Sequence, residues 1–197
     1  AKNDDGCVAV FSLEMSSQSL TSRMLASMAG ISQGNVKSGN LTERQWEKIV
    51  KKAKNLDEIN FFIDDTPNIS PMEIRASCRR LKKQFRNNGG VKLVVIDYIQ
   101  LMQMPGKNDN RVNELSDISR SLKHLAKEIN APVIVLSQLN RAVEQRPSKR
   151  PQMSDLRDSG AIEQDADLIF MLYRDFVYTK NEEWKNVAEV RLVKHRN

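Results

Sequence analysis

Three polar side chains in this sequence stand just past runs that are otherwise apolar: Glu14 beyond Cys7 to Phe11, Asp97 directly after Leu93 to Ile96, and Gln138 after Val133 to Leu136. In open α/β sheets ligands gather at the carboxyl ends of parallel strands, so polar residues at such ends share one edge. An aspartate in that position is where P-loop nucleotidases hold Mg²⁺. A glutamate nearby can orient and polarise a water, and an amide can read the γ-phosphate of a nucleotide. The chemistry open to this set is phosphoryl transfer to water. Each residue taken alone also fits a cap or a turn, since short polar side chains often bond to backbone groups where regular structure ends.

The elements that must position these residues follow from the hydrophobic pattern. CVAVF, INFFI (Ile59 to Ile63), LVVI, VIVL, LIFMLY (Leu168 to Tyr173) and VAEVRLV (Val187 to Val193) are short, β-branched and apolar, as buried strands are. Between them, Ser16 caps a helix through Met28 that Gly30 stops, and Thr42 with Gln45 forms a capping box for a helix to about Asn55. Trp46, Ile49 and Ala53 give that helix a packing stripe. Ser70, Pro71 and Glu73 start another helix, which runs to Arg86 before Gly89 and Gly90. On it Arg75, Arg79, Lys82, Lys83 and Arg86 recur at helical spacing, the pattern of a solvated basic face. Val112 to Ile129 is amphipathic and joins two apolar strands, a βαβ unit with a right-handed crossover and both strand tips at one edge. The adjacent Asp64 and Asp65 fit metal ligation or, more ordinarily, a turn. Asn140 to Gly160 reads as a long basic surface loop, and loops of that length in compact domains tend to be functional. Val187 to Val193 closes the sheet, with Lys194 and Arg196 on the face of Val190 and Leu192 and His195 on the other.

A chain of 197 residues with 40% hydrophobic and 28% charged residues suits one well-buried domain and argues against long disorder. Its net charge of +6 makes a polyanion partner plausible, although dispersed lysines give the same total. No apolar run is long enough to span a membrane and the first residues lack a signal-peptide layout, which points to the cytoplasm. Cys7 and Cys78 have no metal-ligand spacing and read as reduced structural thiols. A phosphate loop, G-x-x-x-x-G-K-[ST], does not occur. Gly34 and Gly39 have the spacing, but Asn40 and Leu41 stand where Lys and Ser/Thr are required. Either the chain is no nucleotidase, or it begins downstream of its phosphate loop.

An ordered set of motifs favours the second option: FSLEM (Phe11 to Met15), VIDYIQLM (Val95 to Met102), DISRSLK (Asp117 to Lys123), VLSQLNR (Val135 to Arg141), EQR with KRP, SDLRDSGAIEQDADLI (Ser154 to Ile169), YRD and KHRN. Together they resemble the bacterial replicative DNA helicase of the DnaB type, over essentially the whole chain from about Cys7. The resemblance implies an α/β fold: a RecA-like P-loop nucleotidase core, a mostly parallel sheet flanked by helices, incomplete because the phosphate-loop strand and helix are absent. Residues 1–197 would form a single partial motor domain. In that family the motor assembles into a homohexamer, hydrolyses ATP with Mg²⁺, draws single-stranded DNA through its centre and works with a primase and a helicase loader, none of it at a membrane. Carried over by position, Glu14 resembles the catalytic glutamate, Asp97 the Mg²⁺-site aspartate acting through water, and Gln138 the γ-phosphate sensor. Lys194 and Arg196 resemble the basic pair that reaches a neighbouring subunit's ATP. Arg157, Asp158 and Gly160 match a loop on the DNA backbone, and Pro105 to Arg111 matches another channel loop by position. By itself the 197-residue chain is expected to be inactive. A RecA-like recombinase or repair ATPase core, or a non-catalytic assembly or DNA-binding fragment, stays open at this point.

Overall fold

The computed structural model describes residues 6–106 and 110–196, and the side chains of Arg157, Asp158 and Ser159 fall outside the described residues as well. Contacts gather in two units, one made of the chain through Gln103 together with Leu125–Leu136, the other of Met104–His124 and the chain from Ser137 on.

In the first unit β1 (Cys7–Ser12) leads into α1 (Ser17–Ala29), α2 (Gln33–Ser38), α3 (Glu43–Asp57), β2 (Phe61–Asp64), α4 (Pro71–Gln84) and β3 (Val91–Asp97). Helix α5 (Arg111–Ile129) begins in the second unit, and its last residues enter the first and lead to β4 (Val133–Val135). The four strands form one parallel sheet in the order β2-β1-β3-β4, as expected of strands linked by helices. Caps set the helix starts. Ser16, Thr42 and Ser70 each accept from the backbone N–H three residues on, and the last two are reciprocated by Gln45 and Glu73. Gly30, at φ +65, ends α1 in the left-handed conformation that a side chain would strain. The Gly34 and Gly39 spacing proves to be α2 and its left-handed stop, with no bearing on phosphate.

The core of this unit is the middle of the sheet with α4 laid over β1 and β3: Phe11, Val94, Ile96, Ile74 and Cys78 are fully buried. Burial pushes the Cys78 thiol up to about 12, and Cys7, also buried, is raised for the same reason, so both are protonated and inert, as expected. Two expectations need correction. Trp46 is largely exposed although Ile49 beneath it is buried, so the apolar stripe of α3 is wider than the surface that covers it. The basic stripe of α4 is tethered rather than merely solvated: Arg75 and Arg79 both pair with Glu128 near the end of α5, and Lys82 Nζ donates to the Glu128 carbonyl at 3.0 Å. The paired cations hold the Glu128 carboxyl below its usual range, with the Arg79 hydrogen bond the largest cause.

The second unit contains α6 (Gly160–Asp165), β5 (Leu168–Tyr173), α7 (Asp175–Thr179) and β6 (Glu189–His195). Between β4 and α6 the chain, expected to be a long surface loop, forms two 3-10 segments, Arg141–Gln145 and Met153–Ser159. Among the described residues β5 and β6 pair only with each other, antiparallel, so β6 does not close the parallel sheet as the pattern suggested. Ile169 and Met171 are buried against Leu156, with Leu139, Met153, Ala166 and Val193 packed around them. The opposite face, with Leu168, Phe170, Leu172, Val190 and Leu192, is exposed. Of the loop Pro105 to Arg111, residues 107–109 lie outside the described residues. Among those described, no helix is long and apolar enough to cross a membrane.

Candidate functional site

The ends of β1 and β3 meet in register, Ser12 opposite Asp97, and the Leu13 N–H donates to the Asp97 carbonyl at 2.7 Å. Parallel pairing therefore brings Glu14 and Asp97 to the same carboxyl edge of adjacent strands, as the spacing predicted. The turn that carries Glu14 is fastened on both sides. The buried Ser12 hydroxyl donates to the Met15 carbonyl at 2.8 Å, and Ser16 caps α1. From β2, the Asp65 carboxylate accepts the Ser17 N–H at 2.7 Å, and that bond holds its carboxyl below the usual range. Asp64 accepts from the Thr66 N–H at 3.0 Å, so the acidic pair shapes a turn and the start of α1, the ordinary alternative to metal ligation. Glu14 itself is exposed, free to face a ligand, while Asp97 is half-buried. Past it, a cis peptide links Asp97 to Tyr98, and Ile99 and Met102 are buried, with the Ile99 N–H donating to the Leu136 carbonyl at 3.0 Å.

Among the described residues no three His, Cys, Asp or Glu side chains converge as a metal cage. A single carboxylate at a strand end suits Mg²⁺, which keeps most of its waters and takes one or two carboxylates plus phosphate oxygens. Asp97 fits that role through water.

Gln138 lies in the second unit, beyond β4, and lines a cavity of about 280 Å³ with Asn140, Arg141, Lys149, Tyr173 and Tyr178. The two tyrosine rings stack at 5.6 Å, and the Arg150 guanidinium lies 4.7 Å from the Tyr173 ring centre. The segment after Gln138 is tied to the turn Met153–Ser159, because the Asn140 N–H donates to the Asp155 carbonyl at 3.0 Å and Leu139 packs in the same core as Met153 and Leu156. Arg157 and Asp158 lie on that turn, their side chains outside the described residues. Gly160 begins α6 in ordinary helical conformation, and the space a Cβ would take there is open.

Lys194 and Arg196 share one strand face, as expected, but it is not the face predicted. A bulge between Phe170 and Ile169 leaves Leu192 opposite Phe170 and Lys194 opposite Ile169. The extra residue reverses the alternation, so the pair joins the buried Ile169 and Met171 side rather than the exposed side of Val190 and Leu192. There both cations bond to carbonyls at the end of α6. Lys194 Nζ donates to Glu163 and Arg196 Nη2 to Gln164 at 2.6 Å, and Arg196 lies 3.5 Å from Asp167, which also pairs with Lys123. Helix ends leave such carbonyls without intrahelical donors and attract positive charge. The residues that sequence reasoning missed are Ser12, which fastens the turn of Glu14, and Asp167, which holds Arg196. Asp65 was legible as a turn former in the polar cluster after β2, but not as the partner of Ser17.

The sequence matches the DnaB-like helicase C terminal domain over residues 1–197. It is 50% identical over 198 residues to the replicative DNA helicase DnaC of Bacillus subtilis, an alignment that takes in 100% of this chain and 43% of that protein. Among solved structures, an ATPase domain superposes with a TM-score of 0.89 at 40% identity, covering 98% of this chain and 68% of that one. A DnaB-like replicative helicase described with its interactions with primase gives 0.90 at 40% identity, covering 98% and 46%. The chain thus spans less than half the length of the curated relative it matches. With a parallel sheet that carries Glu14 and Asp97 at one edge and a family match along its full length, the chain belongs to the DnaB-like helicase C-terminal domain family.

Proposed function

We propose that these residues are part of the ATP-driven motor of a hexameric replicative helicase that moves along single-stranded DNA and separates duplex strands in the cytoplasm. The observation that carries the reading is the in-register end of β1 and β3, which sets Glu14, just past β1, and Asp97, at the end of β3, on one edge with the Leu13 N–H bonded to the Asp97 carbonyl. Glu14 would orient an attacking water and take its proton, Asp97 would hold Mg²⁺ through water, and Gln138 would sense the γ-phosphate. ATP with its Mg²⁺, when bound, supplies the phosphoanhydride whose cleavage drives the cycle. Lys194 and Arg196 act in trans on the neighbouring subunit's nucleotide. Arg157, Asp158 and Gly160 meet the DNA backbone, and the hydrogen bond from Asn140 to Asp155 gives Gln138 a short route to that turn. Primase is a partner by likeness to the relative described with it, and a helicase loader by family.

The test is strand separation by the full-length protein on a forked duplex, with ATP and Mg²⁺ and with either omitted. Unwinding should need both, and Asp97→Asn should lose nucleotide affinity and unwinding together. An Asp97→Asn protein that hydrolyses ATP at the wild-type rate would move the metal site elsewhere.

A further inference from the structure

The loop Asn140 to Gly160 carries a run of cations, of which Arg146, Lys149 and Arg150 are turned onto the protein. Lys149 Nζ donates to the Glu144 carbonyl at 2.5 Å, and Arg150 bonds Glu189 at 3.1 Å while it covers the Tyr173 ring. Arg146 is the most heavily engaged. Its Nη1 donates to the Gln152 side-chain oxygen at 3.1 Å, and its Nη2 donates to the Arg150 carbonyl at 3.1 Å and to Asp155 Oδ2 at 2.7 Å. Asp155 is buried, at 7% exposure, and the same oxygen takes the Gln152 N–H at 2.8 Å. Two residues beyond Asp155 on the same 3-10 turn stands Arg157.

We propose that Arg146 is a positioning residue for single-stranded DNA. It grips the start of the turn Met153–Ser159 so that the backbone of this turn is presented to the phosphates in a fixed geometry. The inference rests on the reading of that turn as the DNA contact. Arg146 does not reach a phosphate itself, because both of its terminal nitrogens are committed to protein acceptors around a buried carboxylate. A planar fork is what three acceptors in this arrangement require. An ammonium on a flexible stem keeps the charge and loses the grip.

The two kinds of residue separate in salt. A phosphate contact releases counterions, so its loss flattens the plot of log K against log salt by about 0.7 per contact on single strands. Loss of a positioning residue lowers affinity at every salt concentration and leaves the slope alone. The experiment titrates the full-length ring with a labelled oligo-dT strand over a range of KCl, for wild type, Arg157→Ala, Arg146→Ala and Arg146→Lys, each checked for ring size. Arg157→Ala should flatten the slope. Both Arg146 variants should bind about tenfold more weakly or worse, with the wild-type slope, in rings of wild-type size. Wild-type affinity in Arg146→Lys would overturn the positioning role, and so would a flattened slope in Arg146→Ala, which would make Arg146 a direct contact. A loss of binding that tracks loss of the ring would make it a structural residue and overturn the proposal too. If instead Arg157→Ala leaves affinity and slope untouched, the DNA reading of the turn itself fails, whatever Arg146 does.

Discussion

Arg196→Ala in the full-length ring discriminates sharply between a catalytic and a structural arginine, because the two roles differ by orders of magnitude. In the structure the Arg196 guanidinium is about half exposed, bonded to the Gln164 carbonyl at 2.6 Å and 3.5 Å from Asp167. Contacts of that kind at a surface contribute about 0–1 kcal/mol. If they were the whole role, turnover would change by no more than about fivefold, since each factor of ten needs about 1.4 kcal/mol. An arginine that stabilises the transferring phosphoryl group is worth about 10³ to 10⁵ in turnover, or roughly 4–7 kcal/mol. Arg196→Ala should therefore lose at least about 10³-fold in steady-state hydrolysis, while Asp167→Asn, which removes only surface ion pairs with Arg196 and Lys123, should stay within about fivefold of wild type. Mixing Arg196→Ala with Glu14→Gln protomers tests action in trans. In randomly mixed rings about a quarter of the interfaces join an intact Glu14 to an intact Arg196, so about a quarter of wild-type turnover should return if interfaces act independently. No recovery at any mixing ratio, in rings shown to exchange subunits, would refute the trans assignment. A loss below tenfold in Arg196→Ala alone would refute the catalytic one.

Glu14→Gln should leave nucleotide affinity nearly intact and cut turnover, because the amide cannot take a proton while its exposed position makes few ground-state contacts; equal losses in binding and turnover would remove the base role. Glu73 and Asp65, held low chiefly by the N–H groups of Ser70 and Ser17, and Glu128 and Asp167, held low chiefly by Arg79 and Lys123, have folded values below their unfolded ones. The stability they give is complete above the unfolded values near pH 4 and is lost as pH falls through the folded ones. Melting temperature should thus drop on acidification from about pH 5 to about pH 3, less steeply in Glu73→Gln, and a superimposable profile in that variant would count against the capping box as the cause. With the Cys78 thiol at about 12, only about one molecule in 10⁴ carries the thiolate at pH 8. Alkylation of Cys78 should therefore be slow until the protein is unfolded, and rapid native labelling would show that this core opens.

What was legible in the sequence was local. Ser16, the Thr42 and Gln45 box, the Ser70, Pro71 and Glu73 start, and Gly30 all act on backbone groups within four residues, so their letters suffice to place them. The strand-end positions of Asp97 and Glu14 were legible because a buried parallel strand ends its apolar run at its carboxyl edge. What stayed hidden depends on partners far along the chain. Glu128 gathers Arg75 and Arg79 from about fifty residues away, and Asp65 reaches Ser17 from as far. The face of Lys194 was misread because a bulge is a property of the pairing: no residue type at Val193 announces that the partner strand will skip a place. The two short helices α2 and α7 had too few residues to show a period.

The candidate site divides by how firmly its parts are held, and the division follows from what each part must touch. In the proposed reading Glu14 and Asp97 serve one protomer's own nucleotide. Their strand ends are locked by the Leu13 bond to the Asp97 carbonyl, by the buried Ser12 hydroxyl and by Asp65 at the foot of α1. A reacting geometry displaced by an ångström can lose about a hundredfold in rate, so such fastening has a catalytic use. Arg196 is about half exposed and held by a helix-end carbonyl and an exposed carboxylate, contacts that water or a phosphate can replace at little cost. The proposed trans role asks for a group held in this exchangeable way, since it would have to leave its own protomer and meet the next one's nucleotide. Tight burial of Arg196 would have argued for a structural arginine. Its tether to α6, by one carbonyl and one exposed carboxylate, is the kind of hold that the proposed trans role requires.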